Sequence, residues 1–268
     1  SVATGYVLGS VTVSPATVTV EAPNAIAARI SKAVVTYNNK KSKLTAGFIG
    51  ESEITLFDAE GGEIPAASVK LSENTAEVSV PVLKRKKLNV AVTLQNAPEG
   101  WSKYLKITPS TIDIAGPADV IDLMTELVVG SIDTSSVTGS GRTTFTLSLG
   151  QNMLDVNQVG YVAVDIDYSK VKSKNVTINH IDPGIGNIDL SGYSVTVVTT
   201  ILENVTVYAP SGDIGAISTD HLKAVATLTP DKLTAGQISL PVKIVSTNGK
   251  MVWTVGTYNI VVNITPKS

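Results

Sequence analysis

The chain has 268 residues, no cysteine, three Phe, two Trp, two His and a formal net charge of −2. That length suggests one to three domains. The missing thiols exclude cysteine catalysis, cysteine-ligated zinc and disulfides, and the near-neutral charge argues against a nucleic-acid binder, which carries a basic face.

Val, Ile and Thr dominate, with 21 Gly and 12 Pro as punctuation, the usage of twisted, half-buried strands. No run approaches the roughly 18 apolar residues that span a bilayer. Ser1 begins in mid-pattern, without a basic-then-apolar leader, so we expect a signal or anchor upstream of it.

From the start, Gly5-Tyr6 leads into "TVTVEAPNAIAARI" (17–30). Val18 and Val20 alternate with polar residues and face one side of a strand. Pro23 stops the strand, having no amide hydrogen for a ladder, and a short helical segment runs on to Ile30. A polar link (36–47), a hairpin "EITLFDAEGGEI" (53–64) and an alternating strand "AEVSVPVL" (76–83) follow.

A basic lead, "KRKKLNVAV" (84–92), opens a second pass through the same layout. Gly100-Trp101 precedes "ITPSTIDIAGPADVIDLM" (107–124), in which Ile112 and Ile114 face one side and Pro117 ends the strand. Beyond it, Val120, Leu123, Met124 and Leu127 have the i, i+3, i+4, i+7 spacing of a helix face. The copy closes on "YVAVDIDYS" (161–169). A third pass begins at "KVKSKNVTI" (170–178) and continues through Gly192-Tyr193 and "NVTVYAPSGDIGAI" (204–217). It ends with a hairpin-like "VKIVSTNGKMV" (242–252) and "YNIVVNITP" (258–266).

The three corner prolines, Pro23, Pro117 and Pro210, lie 94 and 93 residues apart. Aligned on them, Val18, Ile112 and Val205 match, as do Val20, Ile114 and Val207, and then Ile30, Met124 and Ile217. A repeat this long is a small domain and not a solenoid unit. The expected fold is all-β with one short helical turn per repeat. Three tandem barrel- or sandwich-like domains, at 1–85, 86–170 and 171–268, would form an elongated rod. The first lacks its opening strand. The matched strand residues should face the interior, closed over by Ile30, Met124 and Ile217.

Chemistry is sparse. His180 and His221 have no metal-site spacing and read as surface or turn residues. Asp165 and Asp167 stand two apart on a strand; they fit either a shared carboxylate face for a hard cation or the charged solvent face of an edge strand. "DAEGGE" (58–63) lacks the ligand order of a calcium loop and reads as a glycine turn. Lys40, Lys41, Lys43 and the run Lys84, Arg85, Lys86, Lys87 fit contacts with anionic headgroups or cell-wall polymers, or solvated gatekeepers beside hydrophobic strands. Asn175, Asn204 and Asn263 head glycosylation-like triplets that arise by chance in a Thr-rich chain. No nucleophile elbow, Walker loop or dinucleotide fingerprint is present. We therefore expect no enzyme, no catalytic, cofactor-binding or metal residues, no cofactor, no nucleic acid and no small-molecule substrate.

The repeated order of lysine-rich strand, glycine-aromatic pair, strand, Gly/Ala-Pro corner, helical turn and "I-D-x-S" resembles the YbbR-like repeat. The middle copy carries it best, from "KKLNVAVTLQNAPEGW" through "ITPSTIDIAGPADVIDLM" to "VVGSIDTSS"; the third departs in having Leu202 where the others have Pro15 and Pro109. The resemblance implies several such domains outside a bacterial cell behind an N-terminal membrane helix, with no catalytic residues of their own. It further implies a regulatory or scaffold role toward a membrane protein partner, the diadenylate cyclase that makes cyclic di-AMP. The competing expectation is a surface adhesin or cell-wall-binding array of immunoglobulin-like domains, because fold alone does not settle function.

Overall fold

A computed structural model describes residues 1–38, 41–186 and 188–267. It is an all-β protein, as the Val/Ile/Thr composition requires. Among the described residues, helix is limited to α1 (Asn24–Ala27), α2 (Ala118–Leu123) and short 3₁₀ turns. The chain divides into two compact units. Unit 1 comprises Ser1–Val90, Ser110–Leu127 and Leu147–Gly160; unit 2 comprises Ala91–Pro109, Val128–Thr146 and Tyr161–Ser268.

In unit 1 one antiparallel sheet runs Thr12–Ser14, Thr75–Val80, Phe48–Phe57, Lys32–Val35. Glu63–Ile64 folds back on the end of Phe48–Phe57, with Leu56 opposite Ile64, which is the hairpin expected at 53–64. Its turn is closed by Asp58, whose Oδ1 accepts from the Gly62 amide at 2.6 Å. A second sheet runs Tyr6–Leu8, Val82–Gln95, Thr111–Gly116, Leu154–Asp155, and Val20–Glu21 pairs with Lys70–Leu71. Leu83, Leu88, Ile112, Ile114 and Ile121 are buried.

Three further sheets lie in unit 2 among the described residues. Tyr161–Ile166 lies between Leu105–Thr108 and Gly141–Thr146, and Leu202–Pro210 lies between Val171–Ile178 and Trp253–Thr254. The third sheet runs Ile181–Asp182, Leu222–Ala226, Gly236–Ser246, Tyr258–Pro266, Tyr193–Val197. One core gathers Ile178, Val205, Val207, Ile217, Leu222 and Ile244; a second gathers Leu228, Leu240, Ile260, Val262 and Ile264.

The inward alternation holds best in the later copies. Ile112, Ile114, Val205, Val207 and Ile217 are at most 1% exposed, whereas Val18, Val20, Ile30 and Met124 are half-buried. The helix face read after Pro117 is corrected. Val120 and Leu123 are exposed, and the buried helical residue is Ile121. The reason is length: α2 ends at Leu123 and the backbone is already extended at Met124. A single turn therefore presents one side chain to the core, and Ile121 packs where Gly116 leaves room for it. The expected hairpin at 242–252 is likewise replaced. Gly236–Ser246 stays in the five-stranded sheet, while Trp253–Thr254 crosses to pair with Leu202–Pro210.

Candidate functional site

Each corner proline is followed by a helical turn: α1 after Pro23, α2 after Pro117, and the 3₁₀ turn Ile214–Ala216 after Pro210. A turn this short leaves its last carbonyls without intrahelical partners. In two copies a lysine from the neighbouring strand supplies the donor. Lys86, opposite Ile114, donates to the carbonyls of Met124 at 2.7 Å and Ile121 at 3.2 Å. Lys174, opposite the equivalent Val207, donates to the carbonyl of Ile217, the residue equivalent to Met124. A cation at the carbonyl end is the favourable polarity.

The rest of the 84–87 run is also engaged. Lys84 pairs with Asp122 at 2.6 Å and Arg85 with Asp113 at 2.8 Å. The Arg85 guanidinium holds the Asp113 carboxyl below its ordinary value, against the opposing effect of desolvation. Lys84 and Arg85 remain partly solvated on the strand Val82–Gln95, and these two and Lys86 are in addition tied to α2 and its strand. Lys40 lies outside the described residues.

Unit 2 also carries a cleft of about 750 Å³. Its walls are the loop Asn96–Glu99, the strand residues Val242–Ser246 and the segment Gly249–Thr254. Asn96 sits at φ 56 and its side-chain amide donates to Asp133, whose carboxylate also accepts from the Ser135 amide and hydroxyl. The Asn96 amide first, then the Ser135 hydroxyl and backbone amide, hold that carboxyl below its ordinary value. The Ser135 carbonyl in turn accepts from the Gly256 amide at 2.8 Å.

Beside the cleft five aromatic rings interlock. Trp253 lies 5.7 Å from Tyr104, 5.9 Å from Tyr168 and 6.1 Å from Tyr208, and Trp101 lies 6.1 Å from both Tyr104 and Tyr168. Trp253 Nε1 donates to the Tyr168 hydroxyl at 3.2 Å. Burial pushes the Tyr168 phenol above its ordinary value. Such clusters contribute large buried area and edge-to-face contacts. Of the glycine-aromatic pairs only Trp101 is fully buried; Tyr6 and Tyr193 are half-buried.

The carboxylates read at 165 and 167 do not form one face. Asp165 lies in the central strand of its sheet, not an edge strand, and its carboxylate is held by Arg142 at 2.6 Å. Asp167 lies beyond the strand end, where its carboxylate accepts from the Ser169 amide. His180 is exposed; His221 is exposed with Nδ1 3.0 Å from Ser218 Oγ. Among the described residues no three of His, Cys, Asp and Glu cluster as a metal would require. The cleft of unit 2 is open to solvent and lined by polar residues such as Asn96, Ser135 and Lys243 as well as by apolar ones such as Val242, Ile244 and Trp253.

No family model matches the chain, and no curated protein matches it. Among solved structures the chain is similar to a YbbR-like protein from Streptococcus pneumoniae TIGR4, at 17% identity over 69% of this chain and 96% of that one, with a TM-score of 0.29.

Proposed function

We propose that this is a non-catalytic, extracytoplasmic repeat protein of YbbR-like type, with three copies bounded near 85 and 170, that serves as a regulatory or scaffold subunit for a membrane protein partner. The supporting observation is the recurrence of one corner in three places, with matching register and, twice, the same lysine cap. Lys84, Arg85, Lys86 and Lys174 support this reading by holding two of these corners together. The resemblance supplies the partner: a membrane diadenylate cyclase, with cyclic di-AMP as the output regulated.

The test is co-purification from membranes of the source cell, followed by measurement of cyclic di-AMP after deletion of the gene. Recovery of the cyclase with an altered cyclic di-AMP level is the expected result. No cyclase in the eluate together with an unchanged nucleotide level would refute the reading.

A further inference from the structure

The bend that carries the chain from Gly236–Ser246 to Trp253–Thr254 contains Asn248-Gly249, the one Asn-Gly pair of the sequence. Every other asparagine is followed by a residue that carries a side chain. Asn248 and Gly249 are both exposed, and Gly249 and Lys250 line the cleft of unit 2. A side chain on the following residue crowds the path between its backbone amide and the asparagine carbonyl, and glycine leaves that path clear. Gly249 adopts φ 74 with open space around its Cα.

The side-chain amide of Asn248 is held by its oxygen. Oδ1 accepts from the Ser246 hydroxyl at 2.6 Å and from the Lys250 amide at 3.1 Å. Two donors on one carbonyl oxygen draw electron density from Cγ, and they stabilise the negative charge that an attack on Cγ would place on that oxygen. Among the described residues, neither Nδ2 of Asn248 nor the amide of Gly249 donates to a protein acceptor. A polarised electrophile, a free leaving group and an unengaged neighbouring nucleophile are the requirements of an intramolecular acyl transfer.

We infer that Asn248 is a self-modification site, converting to isoaspartate and aspartate without an enzyme. The Gly249 nitrogen gives up its proton to solvent and bonds to Cγ of Asn248. The Cγ–Nδ2 bond breaks, Nδ2 takes up a proton and ammonia leaves, closing a succinimide ring. Water then opens the ring at one of its two carbonyls. Breaking the bond from nitrogen to the main-chain carbonyl leaves an isoaspartyl linkage through Cγ; breaking the new bond to Cγ leaves ordinary aspartate. One water enters and one ammonia leaves, with no change of oxidation state. Either product adds a negative charge at the cleft beside Lys250, which is paired with Asp213 at 2.8 Å. The isoaspartyl product also inserts a methylene into the backbone of the bend, ahead of the two residues that line the cleft. The inference rests on unit 2 alone and is independent of the cyclase.

The test incubates the whole folded chain in mildly alkaline buffer and maps it by mass spectrometry, with isoaspartate counted by enzymatic methylation. The mass change of an NH2-to-OH exchange should appear at Asn248 before any other asparagine, with isoaspartate among the products. Ser246→Ala removes one donor to Oδ1 and leaves the backbone pairing with Leu222 in place. It should slow the conversion about fivefold. A folded chain still intact at Asn248 after a free peptide of residues 244–252 has converted would overturn the inference, by showing that the fold holds the bend away from the reactive geometry. Equal rates in the parent and in Ser246→Ala, both folded by circular dichroism, would overturn it as well, by reducing the site to its dipeptide.

Discussion

Ile114→Ala attacks the corner where it is most tightly built. Ile114 is fully buried, with Lys86 opposite it on one strand and Asp155 on the other. Removing its three outer carbons forfeits about 2 kcal/mol of transfer free energy, and the cavity left behind brings the total to about 2–5 kcal/mol. With a urea slope of about 1–3 kcal/mol per molar for a unit of this size, the midpoint should fall by about 1–2 M. Val20→Ala, at the half-buried equivalent position, should cost only about 1 kcal/mol. The assay is a urea melt by far-ultraviolet circular dichroism, with limited proteolysis and fragment masses at each step. Cleavage should appear first within 1–90, 110–127 and 147–160, while 161–267 still resists. A single transition, with both units cut at the same urea concentration, would refute the reasoning and show one continuous core.

Lys86→Met and Lys174→Met each remove a charged donor to the corner carbonyls of Met124 and Ile217 and should cost about 1–2 kcal/mol in urea melts, whereas Lys87→Met, on the exposed face, should stay within about 0.5 kcal/mol. Asp113 and Asp165 are held below the ordinary 3.8, chiefly by Arg85 and Arg142. Their folded values are depressed, so their stabilisation is present above the unfolded value and is lost as pH falls from about 4 through the folded values. Midpoints that do not change from pH 6 to pH 2.5 would contradict that assignment. Gly184 adopts φ 66, and an added Cβ would overlap the Ala226 carbonyl oxygen. Gly184→Ala should therefore destabilise unit 2 by about 2 kcal/mol or more, whereas Gly139→Ala, with open space around it, should melt like the parent.

The strands, the corner prolines and the inward face of Ile112, Ile114, Val205 and Val207 were legible because period-two alternation and proline act locally. What escaped depends on pairing across distance. The 84–87 run looked solvated because its partners are the carbonyls of Ile121 and Met124 and the carboxylates of Asp113 and Asp122, 28 to 38 residues away. One signal was available: Lys86 and Lys174 lie in the matched basic leads of two copies. Asp165 and Asp167 looked like a pair because alternation assumes that the strand continues, and it stops at Ile166. The cleft was not legible at all. Its walls come from segments near 96, 135, 245 and 253, and no local pattern links them.

The interlocked rings have an optical consequence. Both tryptophans of the chain, Trp101 and Trp253, belong to that cluster and to unit 2. At 0% and 3% exposure they should emit at the short wavelengths of a dry environment, fed by energy transfer from Tyr104, Tyr168 and Tyr208. Tryptophan emission, excited beyond the tyrosine absorption band, is therefore a one-channel instrument. It brightens or reddens with unit 2 and is blind to unit 1, so a melt followed by fluorescence alone would declare the protein intact while Val18, Ile114 and their surroundings had already come apart.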